Sequence, residues 1–321
     1  MLPNEAVGVF GANSFIGRNA VRSLRRDGIN VIAFGRQFPD DFFRFVGGDV
    51  DTRIIDFNNE LEVLAAVQNV SQVIQLINTS NPAAGNKRVV SDLHHNVLPH
   101  VQFIQSCIES AVKNFIFISS GGAVYGDASV TPIPETHPTE PLNSYALAKR
   151  VVEQYLPMLT RGTEMRYTVL RLANPYGPGQ LNLKGQGLIP TILQCHEAGS
   201  PLSIFGDGQV QRDYVYIDDV AEAIKAALSH DCGQEILNIG SGQGRTIFEV
   251  VEAIESLLGV TISKSFVPAR ATDPARNVLD ISKAKSVLGW EPKTSFADGI
   301  RRTVEAHAFG RIEPERLRLA R

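Results

Sequence analysis

In the run Tyr145-Ala146-Leu147-Ala148-Lys149 a phenol and an ammonium stand four residues apart. On a helix that spacing puts both on one face. A free tyrosine has a pKa of ~10 and is a poor base near neutrality, but an adjacent cation favours its phenolate. Lowering the pKa by ~3 units takes about 4 kcal/mol of differential stabilisation. The chemistry on offer is general acid–base work on an alcohol. Tyr-x-x-x-Lys alone is frequent by chance, and its ordinary reading is a packed tyrosine beside a solvated lysine. Context lifts it here: an apolar run at 115–118 and the turn Ser119-Ser120-Gly121-Gly122 precede it and bring hydroxyls alongside.

A second constellation is Gly11-Ala12-Asn13-Ser14-Phe15-Ile16-Gly17, directly after the apolar run Val7-Gly8-Val9-Phe10. A glycine turn between a strand and a helix lets the backbone approach a pyrophosphate, whose charge the helix N-terminus stabilises. Gly11, Asn13, Ser14, Phe15, Ile16 and Gly17 are therefore candidate dinucleotide contacts. Ser14 stands where a further glycine is expected, so its hydroxyl donates to a phosphate or its Cβ crowds the cofactor. The next apolar run ends at Phe34-Gly35-Arg36. About 20 residues past the turn is where a carboxylate would hold the ribose 2′-hydroxyl of NAD. Arg36 without a carboxylate suits the 2′-phosphate of NADP, or is a surface charge, and both cofactors stay open. Asp56 and Phe57, after a third strand-like run, read as adenine contacts or as a simple turn.

A third set lies downstream. Asn174 falls in the segment 171–180; Phe205-Gly206-Asp207-Gly208 precedes Arg212-Asp213-Tyr214; Arg270 and Asp273 follow Val267-Pro268. The arginine fork matches the oxygens of a diphosphate. Each arginine alone reads equally as a structural ion pair.

The elements that must position these groups follow from the hydrophobic pattern. Short apolar runs at 7–10, 31–34, 73–77, 115–118, 168–172 and 236–239 read as buried strands. Residues 18–27, 89–112, 145–159, 218–229 and 246–258 read as helices, with Pro99 and Pro157 kinking or ending theirs. Strands alternating with helices give an α/β fold, a Rossmann-type doubly wound parallel sheet. After Arg171 the alternation weakens, and Gly and Pro fill 175–212. The expected division is residues 1–175 and 213–240 for a dinucleotide-binding domain. Residues 176–212 and 241–321 then form a smaller α/β substrate domain built from two segments.

Composition narrows the class. The chain has 321 residues, 43% hydrophobic and 20% charged, which suits about two globular domains rather than a disordered chain. A net charge of −3 offers no basic field for nucleic acid or an anionic membrane. No apolar stretch reaches ~18 residues, so no membrane span is expected. Three cysteines, Cys107, Cys195 and Cys232, are too few and too scattered for a disulfide framework or a Cys-based zinc site, and fit a reducing cytoplasm. No metal site is expected.

Taken in order, the glycine turn, Ser119–Gly126, Tyr145 with Lys149, the 171–180 segment, 206–214, Asn238-Ile239-Gly240-Ser241-Gly242 and Leu288-Gly289-Trp290-Glu291-Pro292 resemble the extended short-chain dehydrogenase/reductases. Within them they are similar to the nucleotide-sugar 4-epimerases of the UDP-glucose 4-epimerase type. The resemblance spans nearly the whole chain and implies NAD. It implies that Tyr145 takes the proton of the sugar 4-hydroxyl while hydride passes to the nicotinamide, that the 4-keto sugar turns over, and that hydride returns to the opposite face. Lys149 would hold the nicotinamide ribose and Asn96 would support the active-site helix and its lysine. Asn174, Arg212 and Arg270 would hold the nucleotide diphosphate of a UDP-hexose, and Phe205 would pack on the base. Asn277 would gate the pocket beside the sugar 2-position and, being smaller than tyrosine, admit N-acetyl groups. Relatives usually carry Ser or Thr at the place of Gly121, so the catalytic hydroxyl falls to Ser120, with Ser119 beside it. The resemblance also implies a homodimer through the helices at 89–112 and 145–159. Two other readings remain: an NADPH-dependent reductase of nucleotide 4-keto-sugars, and a non-catalytic dinucleotide sensor.

Overall fold

The computed structural model describes residues 6–80, 86, 89–181, 187–230, 233–269 and 274–319. The first part alternates β1 (Val7–Phe10), α1 (Phe15–Arg26), β2 (Val31–Gly35), α2 (Asp40–Val46), β3 (Asp51–Ile54), α3 (Glu60–Val67) and β4 (Gln72–Gln75). Next come α4 (Val89–Asp92), α5 (Leu98–Glu109), β5 (Asn114–Ser120), α6 (Gly121–Val124), α7 (Ser144–Leu159) and β6 (Arg166–Leu172). The rest comprises β7 (Asn174–Tyr176), α8 (Leu188–Ala198), β8 (Leu202–Phe205), β9 (Gln211–Tyr216), α9 (Ile217–Ser229), β10 (Glu235–Ile239) and β11 (Gly244–Thr246). It ends with α10 (Ile247–Leu258), β12 (Lys264–Val267), β13 (Arg276–Asn277), α11 (Ser282–Leu288) and α12 (Phe296–Leu319).

Seven strands form one parallel sheet in the order β10-β6-β5-β4-β1-β2-β3. Its strands are apolar on both faces because each face is covered. Val9, Ile74, Ile116, Ile118 and Leu170 join the core under α1 and α9. Their neighbours Phe10, Val73, Phe115, Phe117 and Val169 join the core under α3, α5 and α7. The order reverses between β1 and β4, and the loops at those strand ends open the crevice where ligands bind in such sheets.

The second layer is separate. β7, β9, β11 and β13 make one small sheet and β8 and β12 another. Sheet membership therefore changes at Ala173/Asn174 and Tyr216/Ile217, a few residues from the 175/176 and 212/213 boundaries read from sequence, because β7 pairs with β9 and not with the large sheet.

The long helix expected at 89–112 is broken. A π-helical turn at Leu93–Val97 separates α4 from α5, and Pro99 sits in the first turn of α5. Proline has no N–H to give the carbonyl one turn back, so the wider turn precedes it. Pro157 lies inside α7, which ends two residues later. The 288–292 motif docks the C-terminal segment on α9: the Trp290 indole donates to the Asp219 carbonyl, and the Asp219 carboxylate accepts from the Lys293 and Thr294 amides.

Candidate active site

The glycine turn closes tightly. Gly11 has φ +88°, a left-handed conformation suited to glycine. A Cβ on Gly17 would stand 2.3 Å from the Gly11 carbonyl oxygen, so only glycine lets α1 start this close to β1. Ser14 is the N-cap of α1: its φ of −74° is unstrained, and its hydroxyl accepts from the Gly17 amide at 3.1 Å. Its Cβ needs no left-handed backbone, so the departure from glycine costs the turn nothing. The other first-turn amides have no partner within the helix, and Phe15 and Ile16 supply two of them toward an anion. These features fit a dinucleotide pyrophosphate.

Asn13 is committed within the protein. Its Oδ1 accepts two bonds from Arg18, at 2.9 and 2.7 Å, and its Nδ2 donates to the Gln37 carbonyl at 3.0 Å. It thereby fixes the loop that carries Arg36, which is exposed directly after β2. Asp56 is exposed and starts a turn by accepting from Asn58, whereas the Phe57 ring is buried against His100 and Phe103. The Phe57 side chain is thus core, and only its backbone is left to face an adenine.

β5 ends at Ser120, and α7 brings Tyr145 and Lys149 beside that end. Asn143 caps α7, its side chain accepting from the Ala146 amide at 2.9 Å. Tyr145 shares a hydrogen bond with Ser120. Ser119 does not compete for this role, because its hydroxyl donates to buried Glu153 at 2.6 Å. Lys149 is 5% exposed; its Nζ donates to the Ile118 carbonyl at 2.8 Å and lies 4.8 Å from the Phe117 ring centroid. Burial pushes the Lys149 pKa down to about 8, and the Glu153 charge acts against that fall. Burial pushes Tyr145 above its ordinary value, opposed by the Ser120 hydrogen bond. The protein alone prepares a neutral tyrosine, and lowering its pKa falls to the charge of a bound cofactor.

Asn96 sits in the π-helical turn, fully buried. Its Oδ1 accepts from the Thr79 amide and hydroxyl, at 2.8 and 3.0 Å, and its Nδ2 donates to Ser80 and Asp92. Its bonds hold the loop after β4, and it supports Lys149 only through the packing of its turn on α7.

Asn174, Arg212 and Asn277 meet on the four-stranded small sheet, and Phe205 lies on the two-stranded one. Asn174 on β7 donates to the Asp213 carbonyl at 2.9 Å. Arg212 on β9 is in register with Arg245 and Asn277 and donates to the carbonyls of Gln211 and Pro274. Phe205 ends β8, half-buried. Asn277 is fully buried; its Nδ2 donates to the Gly121 carbonyl at 3.1 Å, and its Oδ1 is without a partner among the described residues. A Cβ on Gly121 would lie 2.6 Å from Leu279 Cδ1, so the glycine lets the Asn277–Leu279 segment dock against the serine turn. Arg270 lies outside the described residues.

Two buried groups went unnoticed in the sequence. Glu153 and Arg171 form an ion pair at 2.6 Å, and Arg171 continues through Tyr125 to Asn238. The 145/149/153 spacing, one turn per step on α7, was the available signal for Glu153. Asp213 is 0% exposed; its carboxylate accepts from the Ser241 amide and hydroxyl and from the Gly242 and Leu279 amides. Among the described residues no group of His, Cys, Asp and Glu is arranged to hold a metal.

Comparison with known proteins agrees with this layout. A family model described as the NAD dependent epimerase/dehydratase family matches residues 7–240. A dTDP-4-dehydro-6-deoxyglucose reductase of Escherichia coli is 30% identical over 308 residues, 93% of this chain and 96% of that protein. The solved UDP-glucose 4-epimerase of Thermotoga maritima with UDP-glucose superposes with a TM-score of 0.89 at 31% identity, covering 95% of this chain and 99% of that one. The Thermus thermophilus UDP-glucose 4-epimerase in complex with NAD gives 0.85 at 28% identity, with 94% and 98% covered. With a glycine-turn crevice, a Ser–Tyr–Lys cluster at the end of β5 and a second small sheet facing it, the chain belongs to the NAD dependent epimerase/dehydratase family.

Proposed function

We propose that the protein is a nucleotide-sugar 4-epimerase that holds NAD and acts on a UDP-hexose. The observation that carries this is the Ser120–Tyr145 hydrogen bond at the end of β5, with buried Lys149 one helical turn further along α7. A single hydroxyl-activating pair serves both directions of an alcohol oxidation at one carbon. Tyr145, hydrogen-bonded to the sugar 4-oxygen, takes the 4-hydroxyl proton as base when the ketone forms and returns it as acid when the ketone is reduced. When bound, the dinucleotide takes up hydride from sugar C4 and gives it back. Lys149 orients the nicotinamide ribose and contributes positive charge beside the phenol. The segments of the large sheet hold the dinucleotide, and those of the small sheets hold the nucleotide sugar. Asn174, Arg212 and Arg270 take the diphosphate, and Phe205 takes the base. Asn277, whose Oδ1 is without a partner among the described residues, lies beside the sugar 2-position and leaves room for an N-acetyl group.

A second reading has its own support. Gly121 carries no hydroxyl, and the 30% identical Escherichia coli relative is named a dTDP-4-dehydro-6-deoxyglucose reductase. Exposed Arg36 would then meet the 2′-phosphate of NADP. Extraction of the dinucleotide from purified protein separates the two. The epimerase reading expects stoichiometric NAD and no consumption of added NADPH with a nucleotide 4-keto-sugar. Steady NADPH consumption from a cofactor-free protein would establish the reductase instead.

We further propose a homodimer built on α4, the π-helical turn after it, α5 and α7, whose outer faces leave Val90, Leu93, Leu98, Leu147 and Met158 exposed. Among the described residues no helix is long and apolar enough to cross a membrane. Cys107 and Cys195 are free, as in a reducing cytoplasm, where we place the protein.

A further inference from the structure

Glu153 is 1% exposed. Its Oε1 accepts from Ser119 Oγ at 2.6 Å and from Arg171 Nε at 3.1 Å, and its Oε2 accepts from the second Arg171 nitrogen at 2.6 Å. Arg150, on the same helix, stands 3.7 Å from Oε2. Three elements therefore meet at one carboxylate: α7 with Tyr145 and Lys149, the end of β5 with Ser119 next to Ser120, and β6 with Arg171. Arg171 extends the chain to Tyr125 at 2.9 Å, and Tyr125 to Asn238 on β10 at 2.7 Å. A buried ion pair gains little net stability over apolar packing, so stability alone does not explain this one.

The geometry around Lys149 supplies an explanation. From β5 it meets the Ile118 carbonyl and the Phe117 ring; from α5 it faces His100; on its own helix Tyr145 lies one turn before it and Glu153 one turn after. His100 is fully buried with its pKa pushed down to about 3, so it stays neutral at working pH. Arg171 and Arg150 face Glu153. Glu153 is thus the anion acting on Lys149 among the described residues. We propose that Glu153 is a positioning residue that locks the Tyr145/Lys149 helix to the Ser120 strand end and keeps Lys149 an ammonium inside the core. The catalytic meaning of that charge rests on the function proposed above; the electrostatic claim does not.

The test reads Lys149 directly, without substrate. Cofactor-free protein labelled with ¹³C at lysine Cε is titrated by NMR, with the Lys149 signal assigned by its loss in Lys149→Met. Glu153→Gln should lower the Lys149 midpoint by about one pH unit or more, because Arg171 is then left without its anion. The doubly neutralised Glu153→Gln/Arg171→Met should fall between Glu153→Gln and wild type, and the conservative Glu153→Asp should titrate near wild type. In turnover, the alkaline limb of the pH profile should move down with the NMR midpoint. A wild-type midpoint in either folded neutral variant would overturn the proposal, even with a lowered melting temperature, since that is what a merely structural ion pair predicts. If the midpoint moves while no epimerisation occurs, the electrostatic role stands and the functional reading fails.

Discussion

Lys149 shows how a single residue trades stability for chemistry. Its pKa falls from 10.5 to about 8 on burial. Between those values the unfolded chain binds the extra proton, so this group makes stability rise with pH from about 8 to about 10.5; below 8 the full cost of the buried charge, roughly 3 kcal/mol, is present. In the cofactor-free protein Lys149→Met should therefore melt higher than wild type at pH 7, with the difference shrinking toward pH 10. A lower melting point at pH 7 would mean that the ammonium is stabilised rather than strained. Asn277 poses a question of size. Its amide is fully buried against the Gly121 carbonyl. Wild type should turn over both UDP-hexoses and UDP-N-acetylhexosamines, and Asn277→Tyr should lose the N-acetylated pair selectively. Equal rates on both pairs in the variant would remove Asn277 from the sugar pocket. Tyr145, Lys149 and the glycine turn were legible in sequence because type and spacing stand beside a strand-like run and a turn that give them context. The choice of Ser120 over Ser119 came from the resemblance, and its physical reason did not show in sequence: Ser119 is engaged by Glu153, which lies 34 residues from it along the chain.

At the scale of elements, the six buried strands and the capped helices follow from apolar runs and turn residues, and they stand where the pattern put them. What the pattern missed was long-range pairing. β7 belongs to β9, and a π-helical turn interrupts the segment 89–112; neither leaves a periodic trace. Asp213 is the clearest case. It reads as one acid in Arg212-Asp213-Tyr214, yet its side chain holds the turn after β10 and the amide of Leu279 beyond β13, while its carbonyl holds Asn174. A Cβ on Gly240 would approach its Oδ2 to 2.4 Å, so this turn is shaped around the carboxylate. Asp213→Asn turns an N–H toward these donors, at a cost of about 1–3 kcal/mol per group left unsatisfied. We expect a lower melting temperature together with weaker UDP binding by calorimetry, because Asn174, Arg212 and Asn277 lose their common frame. A variant that melts lower but binds UDP as wild type would confine Asp213 to folding.

In the proposed function the large sheet holds the dinucleotide and the small sheets hold the nucleotide sugar, with the site between the end of β5 and the facing strands. The α4–α5–α7 face leaves Val90, Leu98, Leu147 and Met158 exposed, and a second copy would bury them. Light scattering should give twice the chain mass for wild type and the monomer mass for Leu93→Lys combined with Leu147→Lys. A wild-type monomer would contradict the dimer. Reversible oxidation at sugar C4, with Tyr145 as the acid–base group and a bound dinucleotide as the hydride acceptor, is tested most directly by product NMR after incubation with UDP-glucose or UDP-N-acetylglucosamine, with no cofactor added. The C4 epimer should approach equilibrium from either side, and turnover should fall at least ~10²-fold in Tyr145→Phe with bound cofactor retained. Unchanged sugars throughout, or epimerisation at wild-type rate in Tyr145→Phe, would contradict it.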